Sequence, residues 1–179
     1  MRIISGKYKG RILEGFTLDK TRPTMDRVKE SLFAMIQDKI VDSTVLDLFA
    51  GSGNLGFEAL SQGANKVYFV DNNNKAINVI NDNNTKLGNL NIEIIKGDYL
   101  KVLKELETEF DIIFLDPPYN TDYINKSIDK IIEYRLLKDE GIIVCETDDL
   151  KKIIIPNDFN VSKQKRYGNK YVVMIKKIW

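Results

Sequence analysis

Five short apolar runs, Thr44–Phe49, Val67–Val70, Ile92–Ile95, Ile112–Leu115 and Ile142–Cys145, recur along the larger, later part of the chain. Runs of this length rich in Val, Ile and Leu read as strands buried on both faces. Helical-period segments separate them at roughly 54–62, 74–87, 98–107 and 123–134, so strand and helix alternate and the strands form a mostly parallel sheet with helices on both sides. After the fifth run, Asn160–Tyr167 and Tyr171–Lys177 are joined through Gly168-Asn169, the residues of a tight hairpin turn. The pattern predicts a doubly wound, Rossmann-like α/β fold of seven strands that closes with an antiparallel hairpin, not with a second βαβαβ half.

Before this core the pattern is weaker. Residues 2–13 alternate around Gly6 and Gly10 and predict a small hairpin or extended arm outside the main sheet. The stretch T-R-P-T-M-D-R-V-K-E-S-L-F-A-M-I then predicts a helix, with Thr24 in N-cap position and Val28, Leu32, Phe33, Met35 and Ile36 on one apolar face. Arg22 and Arg27 flank its start, where cations oppose the macrodipole. Their placement asks for an external anion, or for a neighbouring carboxylate such as Asp26 or Glu30. The organisation expected is one domain, with a basic arm and helix over residues 1–40 ahead of a core over residues 41–179.

Composition narrows the chemistry. A chain of 179 residues, 43% hydrophobic and 30% charged, has enough apolar content to bury a core, which excludes general disorder. The opening segment carries Arg2, Lys7, Lys9 and Arg11 without a long apolar stretch, and no later run approaches membrane-spanning length, so a cytoplasmic protein is expected. Cys145 is the only cysteine, in a strand-like G-I-I-V-C-E, and histidine is absent. A disulfide framework, a thiolate metal cluster and a histidine base are thereby excluded. The formal net charge of +1 conceals an asymmetry: residues 1–30 hold 8 basic against 4 acidic side chains, 31–158 hold 13 against 22, and 159–179 hold 6 against none. Basic ends around an acidic middle suggest a polyanion-binding surface.

The candidate chemistry concentrates in D-I-I-F-L-D-P-P-Y, Asp111 to Tyr119. The apolar run must leave the sheet at Asp116, because the two prolines that follow have no N–H and fix the backbone. Asp116 and the Pro117 carbonyl supply two acceptors, which match the two hydrogens of an exocyclic amine, and the Tyr119 ring can stack on the base that carries it. In L-D-L-F-A-G-S-G-N-L-G, Gly51, Gly53 and Gly56 satisfy the glycine pattern of nucleotide sites, and Asp71 follows about twenty residues on, where a carboxylate accepts ribose hydroxyls. NAD and S-adenosylmethionine fit these residues equally. Asp47 favours the latter, since a fixed negative charge before the loop would repel a pyrophosphate and attract an ammonium. Asp98, after the third strand, can accept from an adenine amine or cap the next helix.

Taken in order, Asp47-Leu-Phe-Ala-Gly-Ser-Gly, Asp71, Gly97-Asp98 and Asp116-Pro-Pro-Tyr119 resemble the class I S-adenosylmethionine-dependent methyltransferases that modify exocyclic amines. With R-I-I-S-G-K-Y-K-G-R, T-R-P-T-x-D-R-V-K-E-S-L-F and the terminal R-Y-G-N, nearly the whole chain is similar to the RsmD family, bacterial 16S ribosomal RNA guanine-N2 methyltransferases. The resemblance implies S-adenosylmethionine as cofactor, no metal, and 16S ribosomal RNA in a small-subunit assembly intermediate as partner of a monomeric enzyme. It implies catalytic roles for Asp116, Pro117, Pro118 and Tyr119. The cofactor would lie on Asp47, Phe49, Gly51, Gly53, Asp71, Asn72, Asp98 and Tyr99, and the RNA on Lys7, Arg11, Arg22, Thr24 and Arg27. Two other readings are a DNA adenine-N6 methyltransferase, for which there is little spare chain to read a DNA target, and a non-catalytic RNA-binding assembly protein.

Overall fold

The apolar runs form β1 (Thr44–Asp47), β2 (Lys66–Asp71), β3 (Ile92–Lys96), β4 (Phe110–Leu115) and β5 (Leu137–Thr147), and the terminal hairpin forms β6 (Phe159–Tyr167) and β7 (Lys170–Lys177). In this computed structural model, which describes residues 1–15 and 23–178, they make one sheet in the order β3-β2-β1-β4-β5-β7-β6. The first five strands are parallel, with Val45 level with Val67 on one side and with Ile112 on the other. β7 inserts antiparallel between β5 and β6, pairing Ile143 with Ile175. The helices are α1 (Pro23–Ile40), α2 (Asn54–Ser61), α3 (Asn74–Lys86), α4 (Tyr99–Glu105) and α5 (Tyr123–Glu133). Among the described residues no helix is long and apolar enough to cross a membrane.

Successive residues of a strand point to opposite faces, which explains why the runs are continuously apolar. Val45, Ile112 and Phe114 pack with Leu32, Phe33 and Ile36 of α1, Phe57 of α2 and Ile80 of α3. Leu46, Ile113 and Leu115 pack on the other side with Leu103 of α4 and Ile128 and Ile131 of α5. Each of these side chains is at most 2% exposed, and full burial of one such group contributes roughly 1.5–3 kcal/mol. α2 lies so close to β2 that a Cβ on Gly56 would collide with the Phe69 ring, and one on Gly53 would stand 2.6 Å from the Phe57 ring.

Several boundaries differ from the pattern, that of β5 among them, which starts at Leu137, ahead of the apolar run from Ile142. β1 stops at Asp47, not Phe49, because the chain must already turn into the loop where Gly51 takes φ 57°. α1 starts at Pro23, a residue suited to a first turn that leaves its N–H groups unbonded. Thr24 is therefore inside the first turn and not at the cap, while Arg22 lies outside the described residues.

The arm is a small hairpin, with Arg2 bridged to Ile12 and the N–H groups of Ile3, Gly10 and Leu13 donating to the carbonyls of Arg11 (3.0 Å), Ile3 (2.8 Å) and Met1 (2.8 Å), and other elements hold it in place. Glu58 of α2 is fully buried and accepts from the N–H groups of Ile4 (2.8 Å) and Ser5 (3.3 Å). It also pairs with the buried Lys29 of α1 at 3.3 Å. The Lys29 ammonium donates further to the Arg2 carbonyl (2.6 Å) and to Asn54 Oδ1 (2.9 Å). Ser61 accepts from the Tyr8 N–H and donates to the Ser5 carbonyl. Ile3 and Leu13 enter the core between these polar ties. Burial depresses the Lys29 pKa, and the charge of Glu58 opposes that shift.

Removing one partner of such a pair leaves a buried charge uncompensated, at a cost of roughly 3–5 kcal/mol. Glu58→Ala should lose stability of that order in denaturant unfolding, and the Ile4 and Ser5 amides should exchange faster with solvent. Glu58→Gln, which retains an acceptor, should be milder. Undisturbed exchange at Ile4 and Ser5 in Glu58→Ala would show that the arm is held by its apolar contacts instead.

Candidate functional site

The order β2-β1-β4 reverses the direction of winding at β1, and open α/β sheets bind ligands in the crevice beyond the carboxyl ends of strands at such a point. Asp47 and Asp71 close their strands, and Asp116 follows β4 directly, so three carboxylates arrive at one edge. A cleft of about 470 Å³ opens there, and Gly51, Asp71, Asp98 and Asp116 are among its lining residues.

Gly51 brings backbone to the cleft without a side chain: its φ is 57°, and a Cβ added there would meet nothing within 4 Å. Its N–H donates to Asp71 Oδ2 at 2.9 Å, and Asp71 Oδ1 accepts from the Asn73 N–H at 2.9 Å. Each carboxylate oxygen thus spends one lone pair on the chain and keeps another for a ligand hydroxyl. Asn72, exposed beside it, also lines the cleft. Asp98 caps α4, its Oδ2 accepting from Leu100 (3.1 Å) and Lys101 (3.2 Å), and it borders the cleft as well. The capping role and a place on the cleft wall are both realised.

One wall is aromatic. Phe49 stacks on Tyr123 at 5.9 Å with 7° between the planes, and Tyr99 meets Phe49 at 5.2 Å and Tyr123 at 4.8 Å. Tyr123, which opens α5, carries no motif in the sequence; only the packing of α4 against α5 brings it beside Tyr99.

Two expected cofactor residues stand elsewhere. Gly53 is buried at the start of α2, and its φ of 86° and its contact with Phe57 give it a packing role away from the cleft lining. Asp47 is 2% exposed, its Oδ2 accepts from the Gly56 N–H at 3.1 Å, and burial pushes its pKa up to about 7, with the Gly56 hydrogen bond opposing and Asp71 adding to the shift. It is therefore no fixed charge facing the cleft. It borders a second cavity of about 590 Å³ beneath α1.

The two cavities share Phe49, Asp116 and Lys170, so Asp116 stands at their seam. Pro117 is buried, while Asp116, Pro118 and Tyr119 are exposed. Desolvation and the nearby Glu146 raise the Asp116 pKa above the ordinary carboxylate value, against the pull of Lys170. Tyr119 donates to Glu146 Oε1 at 3.3 Å, and Lys170 Nζ lies 2.9 Å from the same oxygen and 5.4 Å from the Tyr119 ring centre. Glu146 near the end of β5 and Lys170 at the start of β7 escaped the sequence reading. The R-Y-G-N-K turn was the available signal, but it reads locally as a hairpin and no more.

The expected RNA residues are dispersed. Lys7 and Arg27 are exposed. Arg11 is exposed too, but its guanidinium donates to the Lys86 carbonyl at the end of α3 (2.6 Å). Asp26 pairs with Arg2 at 2.7 Å, not with Arg27. Lys163 of β6 reaches across to α1, its Nζ donating to the Met35 carbonyl at 2.9 Å, so the basic hairpin stands within side-chain reach of α1.

Residues 1–176 match a protein family described as Conserved hypothetical protein 95. The chain is 39% identical over 184 residues to the Bacillus subtilis candidate rRNA methyltransferase YlbH, covering 99% of each chain. It is 38% identical over 172 residues to ribosomal RNA small subunit methyltransferase D of Haemophilus influenzae, covering 94% of this chain and 89% of that one. The solved structure of the candidate methyltransferase yhhF of Escherichia coli is similar with a TM-score of 0.89 at 29% identity, covering 99% of this chain and 97% of that one.

The environment of Asp47 generates a stability prediction. A carboxyl whose pKa is raised on folding carries no penalty while protonated in both states; the penalty grows as pH climbs from the ordinary carboxylate range to about 7, and is complete above it. Asp47→Asn keeps an acceptor for the Gly56 N–H and cannot ionise. Relative to the parent it should gain on the order of 2 kcal/mol between about pH 5 and about pH 8. Denaturant unfolding at both pH values checks this, and a difference that does not change with pH would mean that Asp47 ionises normally.

Proposed function

The chain belongs to the RsmD family of methyltransferases, and from that premise we propose that it transfers a methyl group from S-adenosylmethionine to the N2 amine of a guanine in 16S ribosomal RNA. The observation that carries this reading is the position of Asp116 at the seam of two cavities, with Pro117 next to it on the first; one cavity is suited to a nucleoside and the other able to admit a base. The first cavity fits the cofactor: Gly51 presents bare backbone, Asp71 keeps lone pairs for ribose hydroxyls, and Phe49, Tyr99 and Tyr123 offer an aromatic wall. Asp98 stands at the same wall with its Oδ1 unpartnered among the described residues, available to an adenine amine.

S-adenosylmethionine supplies a methyl carbon already activated by a sulfonium, so the C–S bond can break as the N–C bond forms. The work left to the chain is positioning. A guanine N2 lone pair is delocalised into the ring; acceptance of its two hydrogens by Asp116 and the Pro117 carbonyl localises it and sets its direction. Orientation of this kind supplies roughly 7–11 kcal/mol in favourable cases. One amine proton is lost, and the Asp116 carboxylate stands where it can take it. Tyr119, 41% exposed, provides a surface for a base taken out of its helix.

Labelled-methyl transfer to undermodified small subunits, naked 16S RNA and DNA, followed by digestion to nucleosides, tests the proposal. N2-methylguanosine from ribosomal RNA is the expected product, whereas N6-methyladenosine from DNA would replace this reading with the other amine methyltransferase class. Asp116→Asn exchanges an acceptor for a donor and should slow single-turnover transfer by at least about a hundredfold, with cofactor affinity retained. Tyr119→Ala should cost on the order of 1–3 kcal/mol through lost stacking. Near-parental turnover in Asp116→Asn would remove it from the reaction.

Asp71→Ala should weaken S-adenosylmethionine binding in calorimetry for two reasons, the lost ribose acceptors and the released Gly51 N–H. Unchanged affinity in the folded variant would place the cofactor elsewhere.

A further inference from the structure

We propose that Glu146 and Lys170 select the base, with Lys170 donating to guanine O6 and Glu146 accepting the ring N1–H that lies between O6 and the amine. This assignment rests on the guanine-N2 reading above and adds the residues that would enforce it. Both side chains line the second cavity together with Asp116. The ammonium is 2.9 Å from the carboxylate, so a donor and an acceptor stand side by side. Glu146 accepts from the Tyr119 hydroxyl at the ring's edge and Lys170 lies 5.4 Å from the ring centre, so both stand beside the ring on which a base would stack. The Glu146 side chain is only 13% exposed, and it is close enough to Asp116 to contribute to that residue's raised pKa.

The chemistry of base edges makes this arrangement selective. Beside its exocyclic amine, guanine carries a ring N–H and then a carbonyl oxygen: donor, donor, acceptor. The amines of adenine and cytosine are flanked by a bare ring nitrogen, an acceptor. A carboxylate at that position meets an N–H in guanine and a repelling lone pair in the other two bases. An adjacent ammonium matches O6 and nothing at the corresponding point of adenine, where the edge ends in a ring C–H. Two side chains reading adjacent groups of an extruded base are a means of specificity that a stacking ring and an amine clamp lack.

An ion pair that merely braced the hairpin against Tyr119 would affect every substrate alike, which sets the experiment. Small-subunit RNA is prepared with guanine or with 2-aminopurine at the nucleotide mapped by the transfer assay. The analogue keeps the exocyclic amine but has a bare N1 and no O6. The parent should favour guanine in kcat/KM by roughly five- to a hundredfold. Glu146→Gln and Lys170→Met should each lower kcat/KM for guanine by much more than that for 2-aminopurine, so that the guanine preference collapses, and Lys170→Arg should restore part of it. Equal losses on the two substrates, or an unaltered ratio, would overturn the assignment while N2-methylguanosine as product upheld the broader reading. A product other than N2-methylguanosine would overturn both.

Discussion

Parallel pairing on both sides of β1 is the constraint from which the site follows. Leu46 lies level with Tyr68 of β2 and Ile113 of β4, so three strands run in register and end at nearly the same height. Their apolar interiors must stay in the sheet, and the first polar residue after each has one place to go, the open edge. Asp47, Asp71 and Asp116 are brought together by that geometry and not by contacts with one another. The reversal of strand order at β1 keeps a helix from covering the gap between them.

Like charges gathered at one edge must be managed, and each carboxylate is managed differently. Asp71 is held by two backbone N–H groups and stays accessible. Asp47 is buried under the first turn of α2 with one N–H, and its pKa rises to about 7. Asp116 faces the cleft near the paired Glu146 and Lys170, and its pKa rises as well. A ligand cation or amine entering this edge meets Asp71, oriented by the backbone, and two groups whose charge responds to their neighbours.

The arm and α1 reach the site through buried polar ties. Lys29 links the Arg2 carbonyl to Asn54 and Glu58, and the fully buried Asn83 of α3 holds the Glu14 backbone while donating to the Ser52 carbonyl of the glycine loop (3.2 Å). The loop that presents Gly51 is thus braced from behind by the N-terminal segment. Such networks stabilise strongly when complete and are costly when one member is missing, which makes the arm part of the site's scaffold as well as a candidate RNA surface.

The alternation of apolar runs with helical-period segments was sufficient to read the class of fold, the five parallel strands and the closing hairpin, because burial on both faces leaves a local signature in the residues themselves. The places of Asp116 and Tyr119 at the edge were legible for a related reason, since a strand end followed by proline is a local event that delivers a side chain there, and Asp71 ends the second run about twenty residues after the glycine loop. Tyr123, Glu146 and Lys170 were not legible. They come from α5, β5 and β7, and nothing near them in the chain marks them; they meet Tyr99 and Tyr119 only because α5 packs on α4 and β7 inserts between β5 and β6. The environment of Asp47 was also decided in three dimensions. Its place before the glycine loop suggested a fixed charge, but the close approach of α2 to β2, permitted by Gly56, buries the carboxylate and shifts its equilibrium. Local sequence determines which elements form and what their ends carry, whereas distance and solvent access between elements arise only when the sheet and helices pack.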